Sequence, residues 1–296
     1  MPLLIINDID ECIASKILKF TDDTKVYHIV NSTNGCEILL SDLYKLVAWS
    51  TDWQTLFNTE KCKVMHLGFN NPQTEYDMNG VTMQMVKDEK DLSVIVSADM
   101  KWERQCIEVV KKANKMLGLI KRNFQDRSKD TIVPLYKSLV RPHQEYCCQV
   151  WCHILKKDIK LIEGVQQRAT KLTEDVKYLS YDERFMRLGL THLDKRRVRS
   201  DLLETFRIVH SIDKIDELFF EFDSGGRRGH SCKLFKKCTM LDIRKFAFSN
   251  RSVNTWNALS QDNVNCTIIN AFKGISKMNW NWEHNCKCLC IYRVHQ

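Results

Sequence analysis

Residues 17–30 read ILKFTDDTKVYHIV. Two short runs flank TDDT, and each alternates apolar with polar residues as a half-buried strand does. Aspartate is tolerated at a tight bend because its short side chain can bond the local backbone. The stretch therefore predicts a β-hairpin with Asp22 and Asp23 at its tip. Adjacent carboxylates in such a turn have two readings. They are half of a site for a hard cation, which takes oxygen ligands, or they are a plain acidic turn, the commoner case.

Outward from the hairpin the periodicity changes. From Asn34, a plausible N-cap, Ile38, Leu39, Leu43, Leu46 and Val47 fall on one helical face, which predicts a helix to about Phe57. KCKVMHLGF (61–69) reads as a strand. Asn79-Gly80 between short β-like runs is a strong hairpin signal, and DLSVIVSAD (91–99) predicts one more strand. After Lys101 the pattern is helical. CIEVVKKANKMLGLIKRNF turns Ile107, Val110, Met116, Leu117 and Ile120 inward and Lys111, Lys112, Lys115, Lys121 and Arg122 outward. Pro142 marks the expected break in the next helical stretch. KKDIKLIEGVQQRATKL has Ile159, Ile162 and Val165 as its stripe, and two more helices follow, carrying the basic cluster Lys195-Arg196-Arg197. SGGRRGHS (224–231) is the glycine-rich linker and the clearest boundary. The last stretch, 278–296, shows no period and is expected to be unstructured.

Composition narrows the class. With 296 residues, 44% hydrophobic and 28% charged, the chain suits ordinary folded domains, and 10 Gly and 4 Pro are too few for an all-β sandwich. The net charge of +8 is unevenly placed. Residues 101–200 hold 23 Lys+Arg against 12 Asp+Glu, while the remainder holds 22 against 25. A basic middle is the footprint of a phosphate-backbone binder, or else a solubilising helix surface. No apolar run is long enough to span a membrane. The 13 cysteines lack a CxxC pair, and with no export signal they fit reduced cytoplasmic or nuclear thiols. Neither Cys147, Cys148, Cys152 and His153 nor His284, Cys286, Cys288 and Cys290 has the spacing of a zinc site.

Several segments together carry a family resemblance. LKFTDDTKVY is similar to motif C of non-LTR, jockey-like retrotransposon reverse transcriptases, with Thr21 where Ala is usual. LVAWSTDWQTLFNTEKCKVMHLG resembles the helix and strand that follow it there. DLSVIVSADMKW resembles the next block, with Ser93 where Gly is usual. LYKSLVRPHQEYCCQVWCHILKKDIKLIEGVQQRATKL resembles the family's thumb almost throughout, and RGHSCKLFKK and FSNRSVNTWNAL resemble its C-terminal region. The resemblance covers over nine-tenths of the chain, in order.

It implies an α+β, mostly helical fold: an incomplete reverse-transcriptase palm over 1–100, a basic helical thumb over 101–175 and a helical C-terminal region over 176–277. It implies RNA-directed DNA polymerisation as the parent activity, with an RNA template and a DNA primer as partners. It makes Asp22 the principal ligand and Asp23 the secondary ligand of magnesium, in a site where two metals clamp the attacking and leaving oxygens. Lys61 takes the place of a lysine proposed to protonate pyrophosphate. The 76–99 block becomes a primer grip. Lys111, Lys112, Lys115, Lys121, Arg122, Lys137, Arg141, Arg168 and Lys171 become backbone contacts. The chain begins shortly before the hairpin, and Asp8, Asp10 and Glu11 lie in the wrong segment to complete the metal site. The isolated chain is therefore expected to be inactive as a polymerase. An incomplete palm edge would take up an upstream polymerase fragment or a second copy. The alternative is a catalytically dead remnant that binds nucleic acid through its basic helices, or a relic with no selected role.

Overall fold

The computed structural model describes residues 8–21, 23–68, 70–151, 155–213, 215, 219–225 and 229–278. It is an α+β protein with roughly half of its residues in helices and only small sheets. Two compact units divide at Arg104 and Gln105, in the first turn of a helix.

The first unit opens on the hairpin. Strand β1 (Lys16–Phe20) pairs antiparallel with β2 (Asp23–Tyr27), so that Phe20 faces Asp23 across a two-residue turn. Helix α1 (Thr33–Asp52) follows. Its N-cap is Ser32, not Asn34: the Ser32 hydroxyl accepts from the Gly35 amide at 3.4 Å. A side chain at Gly35 would sit 2.7 Å from the Ile29 carbonyl, so only glycine lets the strand exit pass this close to the helix. The helix stops at Asp52, before the expected Phe57, because the Trp53 and Gln54 amides turn back onto Trp49 and Thr51. Leu43 and Leu46 of α1 pack with Ile9, Tyr76, Met78 and Met83, and Ile17 and Val26 of the hairpin lie against them.

The predicted strand over 61–69 shrinks to β3 (Lys63–Val64), parallel to β6 (Gln84–Met85). Asn79-Gly80 does turn a hairpin, β4 (Asp77–Met78) with β5 (Val81–Thr82), and both turn residues have positive φ, 53° and 74°. The predicted single strand over 91–99 is instead a second hairpin, β7 (Asp88–Asp91) with β8 (Val94–Ser97). Its turn, Leu92-Ser93, takes positive φ (42° and 68°) without a glycine to announce it.

The second unit is helical. Helix α2 (Glu103–Asn123) buries Cys106, Val109, Val110, Ala113, Leu117 and Ile120; Ile107, expected inside, is exposed. Pro142 does not break the next helix. Helix α3 (Lys129–Leu135) runs into one π-helical turn over Tyr136–Val140 and on into α4 (Arg141–Glu145). Proline has no N–H for the Ser138 carbonyl, and the helix widens by one residue there, with the Arg141 amide bonding Tyr136. Helix α5 (Lys156–Lys171) buries Ile162, Val165 and Ala169, and Ile159 faces out. Helix α6 (Tyr181–Leu188) has a full capping box, Ser180 with Glu183, and ends on the left-handed Gly189.

Helix α7 (Leu193–Val209) carries the chain into the C-terminal part. There α8 (Asp242–Lys245), α9 (Phe248–Asn257), α10 (Gln261–Val264) and α11 (Ile269–Met278) gather around Trp256. The glycine-rich stretch is not a packing boundary: Leu202 and Phe206 before it share one core with Leu234, Val253, Trp256 and Phe272 after it. The Phe206 and Phe272 rings stack at 4.6 Å. The tail from residue 279 lies outside the described residues. No described helix is long and apolar enough to cross a membrane.

Candidate functional site

Asp23 opens β2 and is exposed; Asp22 lies outside the described residues. Residues directly opposite in an antiparallel pair point to the same side. Leu18, Phe20, Asp23, Lys25 and Tyr27 therefore share one hairpin face, with Leu18 and Phe20 each 54% exposed. The opposite face, Ile17 and Val26, supplies the core contact. Lys25 forms an ion pair with Asp91 of the second hairpin, so the carboxylate that the unit brings near the tip is already neutralised. Lys61 is exposed in a turn closed by its own amide on the Asn58 carbonyl, 3.0 Å. These donors do not fit magnesium, which demands several oxygens in near-octahedral array. Among the described residues no group of three His, Cys, Asp or Glu side chains could hold a metal. Cys152, His153 and the C-terminal His284, Cys286, Cys288 and Cys290 lie outside the described residues.

The predicted cations of the second unit divide into two sets. On α2, Lys111, Lys115 and Arg122 recur at helical spacing and are exposed, with Lys121 exposed beside them and Lys112 half-buried. At 1.5 Å per residue, Lys111 to Arg122 spans about 16 Å. On α5, Arg168 and Lys171 are exposed one turn apart. The Arg168 guanidinium donates from Nε and Nη2 to Asn114 Oδ1 at 3.2 and 3.0 Å. Asn114 lies between Lys111 and Lys115, so this contact brings the basic stripes of α2 and α5 side by side.

Lys137 and Arg141 belong elsewhere. Lys137 is half-buried in the π turn. Arg141 is turned inward, 3.8 Å from Glu145, and burial, helped by the Arg196 charge, lowers its pKa. The Lys195-Arg196-Arg197 cluster is also internal in part. Arg196 grips Glu145 with both arms, Nη2 to Oε2 at 2.9 Å. Arg197 donates to the Gln144 carbonyl at 2.9 Å and lies 4.1 Å over the Trp151 ring. Arg251 of α9 pairs with Asp201 through two 2.8 Å contacts and donates to the carbonyls of Cys148 and Gln149, each at 3.0 Å. Three arginines thus satisfy the irregular backbone after α4, whose carbonyls no helix serves. Beneath them the Tyr136 hydroxyl sits 2.8 Å from Gln166 Oε1, and burial pushes its pKa far up.

One basic region escaped the sequence reading. Residues 227–245 hold seven Lys+Arg and a single acid, Asp242. Counting charge over the whole flank cancels them against distant carboxylates; a short window would have found them.

Comparison of the chain with protein-family models, with curated proteins and with solved structures finds no match.

Proposed function

We propose that the chain derives from a reverse transcriptase of the non-LTR retrotransposon type, and that its helical unit binds the backbone of RNA or DNA without reading sequence. The order of the motifs along the chain supports the ancestry. The observation that carries the binding is the Arg168–Asn114 contact, which sets two basic helices beside each other on one surface. Lysines there act as point charges on phosphates and release counterions, so affinity falls steeply with salt. A template–primer duplex is the natural ligand under this reading.

The polymerase step belongs to the parent enzyme. In this chain Asp23 stands exposed while Lys25 holds Asp91. That pairing favours the second reading, a remnant that binds but does not extend. Fluorescence anisotropy with a labelled RNA–DNA duplex over a salt series tests the binding. Lys111→Gln, Lys115→Gln and Lys121→Gln together are expected to lower the log–log salt slope by about 2–3. Asp22→Ala with Asp23→Ala is expected to leave binding unchanged. An unaltered slope in the triple variant would sink the helical-surface reading. Primer extension by the chain alone, with magnesium, would sink the remnant reading.

A further inference from the structure

Leu234 is 1% exposed and sits in the core with Phe206 and Trp256. Its backbone is held from two sides. Asn257 of α9 accepts from the Leu234 amide at 2.9 Å and donates to the Leu234 carbonyl at 2.8 Å. Across the strand, the Asp223 amide bonds the Lys233 carbonyl at 2.8 Å and the Phe235 amide bonds the Glu221 carbonyl at 2.7 Å. Side chains alternate along extended backbone, so burying Leu234 turns Phe235 outward, where it is 46% exposed. The ring is presented on pinned backbone rather than on a loose loop.

It is presented among cations. Lys233, Lys236 and Lys237 flank it, and α8 supplies Arg244 and Lys245. Lys237 meets Glu221 at 2.7 Å with both side chains about half exposed, a pairing that water and salt weaken. Among the described residues Lys236 has no ion-pair partner. Burial, and secondarily the Lys245 charge nine residues on, lower its pKa. Two like charges gathered beside an exposed ring leave a place for an anion with a flat face.

We propose that Phe235 with Lys233, Lys236, Lys237, Arg244 and Lys245 forms a second nucleic-acid surface, selective for single strands. An unpaired base stacks on Phe235 while its flanking phosphates lie against the lysines. A duplex hides its base faces and gains only the charge. An acidic membrane is the rival ligand for such charge. Interfacial binding ordinarily uses an amphipathic helix of several turns, whereas here the cations sit on a strand and on the four-residue α8.

The test uses the full chain with labelled oligouridylate, a matched duplex, and vesicles with and without phosphatidylserine. Phe235→Ala is expected to weaken single-strand binding about tenfold and to leave duplex affinity unchanged. Phe235→Trp is expected to retain binding, with emission quenched on adding oligouridylate beyond any quench in the parent chain. Lys236→Gln with Lys237→Gln is expected to lower the single-strand salt slope by about 1.4. Unchanged single-strand affinity in Phe235→Ala, with no added quench in Phe235→Trp, overturns the proposal. So does vesicle binding that needs Phe235 while oligouridylate binding does not. The α2 triple variant separates the two surfaces: loss of duplex binding there with the Phe235 effect intact supports both. A Phe235 effect with no α2 effect supports this surface alone, and the reverse supports the helical surface alone.

Discussion

Ser93 and Thr21 each occupy a left-handed turn position, φ 68° and 52°, that costs an ordinary side chain about 1 kcal/mol or more. These are the positions where the resembling family uses Gly and Ala, so one departure now has a conformational cost attached. Ser93→Gly is expected to stabilise the first unit by about 0.5–1 kcal/mol, read as a shift in its urea midpoint. Thr21→Asn is expected to act in the same direction, since asparagine tolerates this region and a β-branched residue does not. The Leu92-Ser93 turn also explains a misread element. Asn79-Gly80 advertises its hairpin through residue types, whereas Leu92-Ser93 is made by the pairing of its strands and leaves no local mark. Asp42 shows a further limit. It lies on α1, fully buried, accepting from the Ser15 amide at 2.7 Å and from Lys45 at 3.0 Å. Burial pushes its carboxyl up, but those bonds outweigh it and the pKa is lowered. A carboxyl whose folded pKa is depressed stabilises above its unfolded value, near pH 4, and loses that contribution as pH falls further. Asp42→Asn is therefore expected to flatten the acid limb of the first unit's stability below about pH 4.

Among elements, the passage from α3 through α5 depends on charges that sequence spacing cannot assign. Arg196 and Arg197 look like a solvated basic run, yet their partners Glu145, Gln144 and Trp151 lie about fifty residues earlier. Lys111 and Lys115 have the same appearance in the sequence and are exposed. Helical periodicity finds which face is polar; it does not say whether a partner from another helix will cover it. The Arg251–Asp201 pair makes the distinction measurable. Arg251→Met strands a buried carboxylate and is expected to cost about 3–5 kcal/mol in the second unit's thermal unfolding. Adding Asp201→Leu is expected to recover most of that loss, leaving mainly the carbonyls of Cys148 and Gln149 without their donor.

At the scale of the whole molecule, two units with separate cores are expected to unfold in two steps. Leu46→Ala should lower only one transition and Trp256→Ala only the other, each by roughly 2–5 kcal/mol, as calorimetry would resolve. A single transition lowered by both would contradict independent units. The glycine-rich stretch looked like the natural place to cut the chain, but the core around Trp256 draws residues from both sides of it. Burial across a linker is invisible to composition. The π turn, finally, acts as a phase shifter. One extra residue in that turn rotates all that follows by about 100° relative to a regular helix. Gln144 thereby reaches the Ile162 carbonyl, 2.9 Å away, and Glu145 meets Arg196. Removing exposed Leu139 would leave composition and hydrophobicity nearly untouched while turning α4 out of mesh with α5 and α7. In this helix, a change of count is graver than a change of kind.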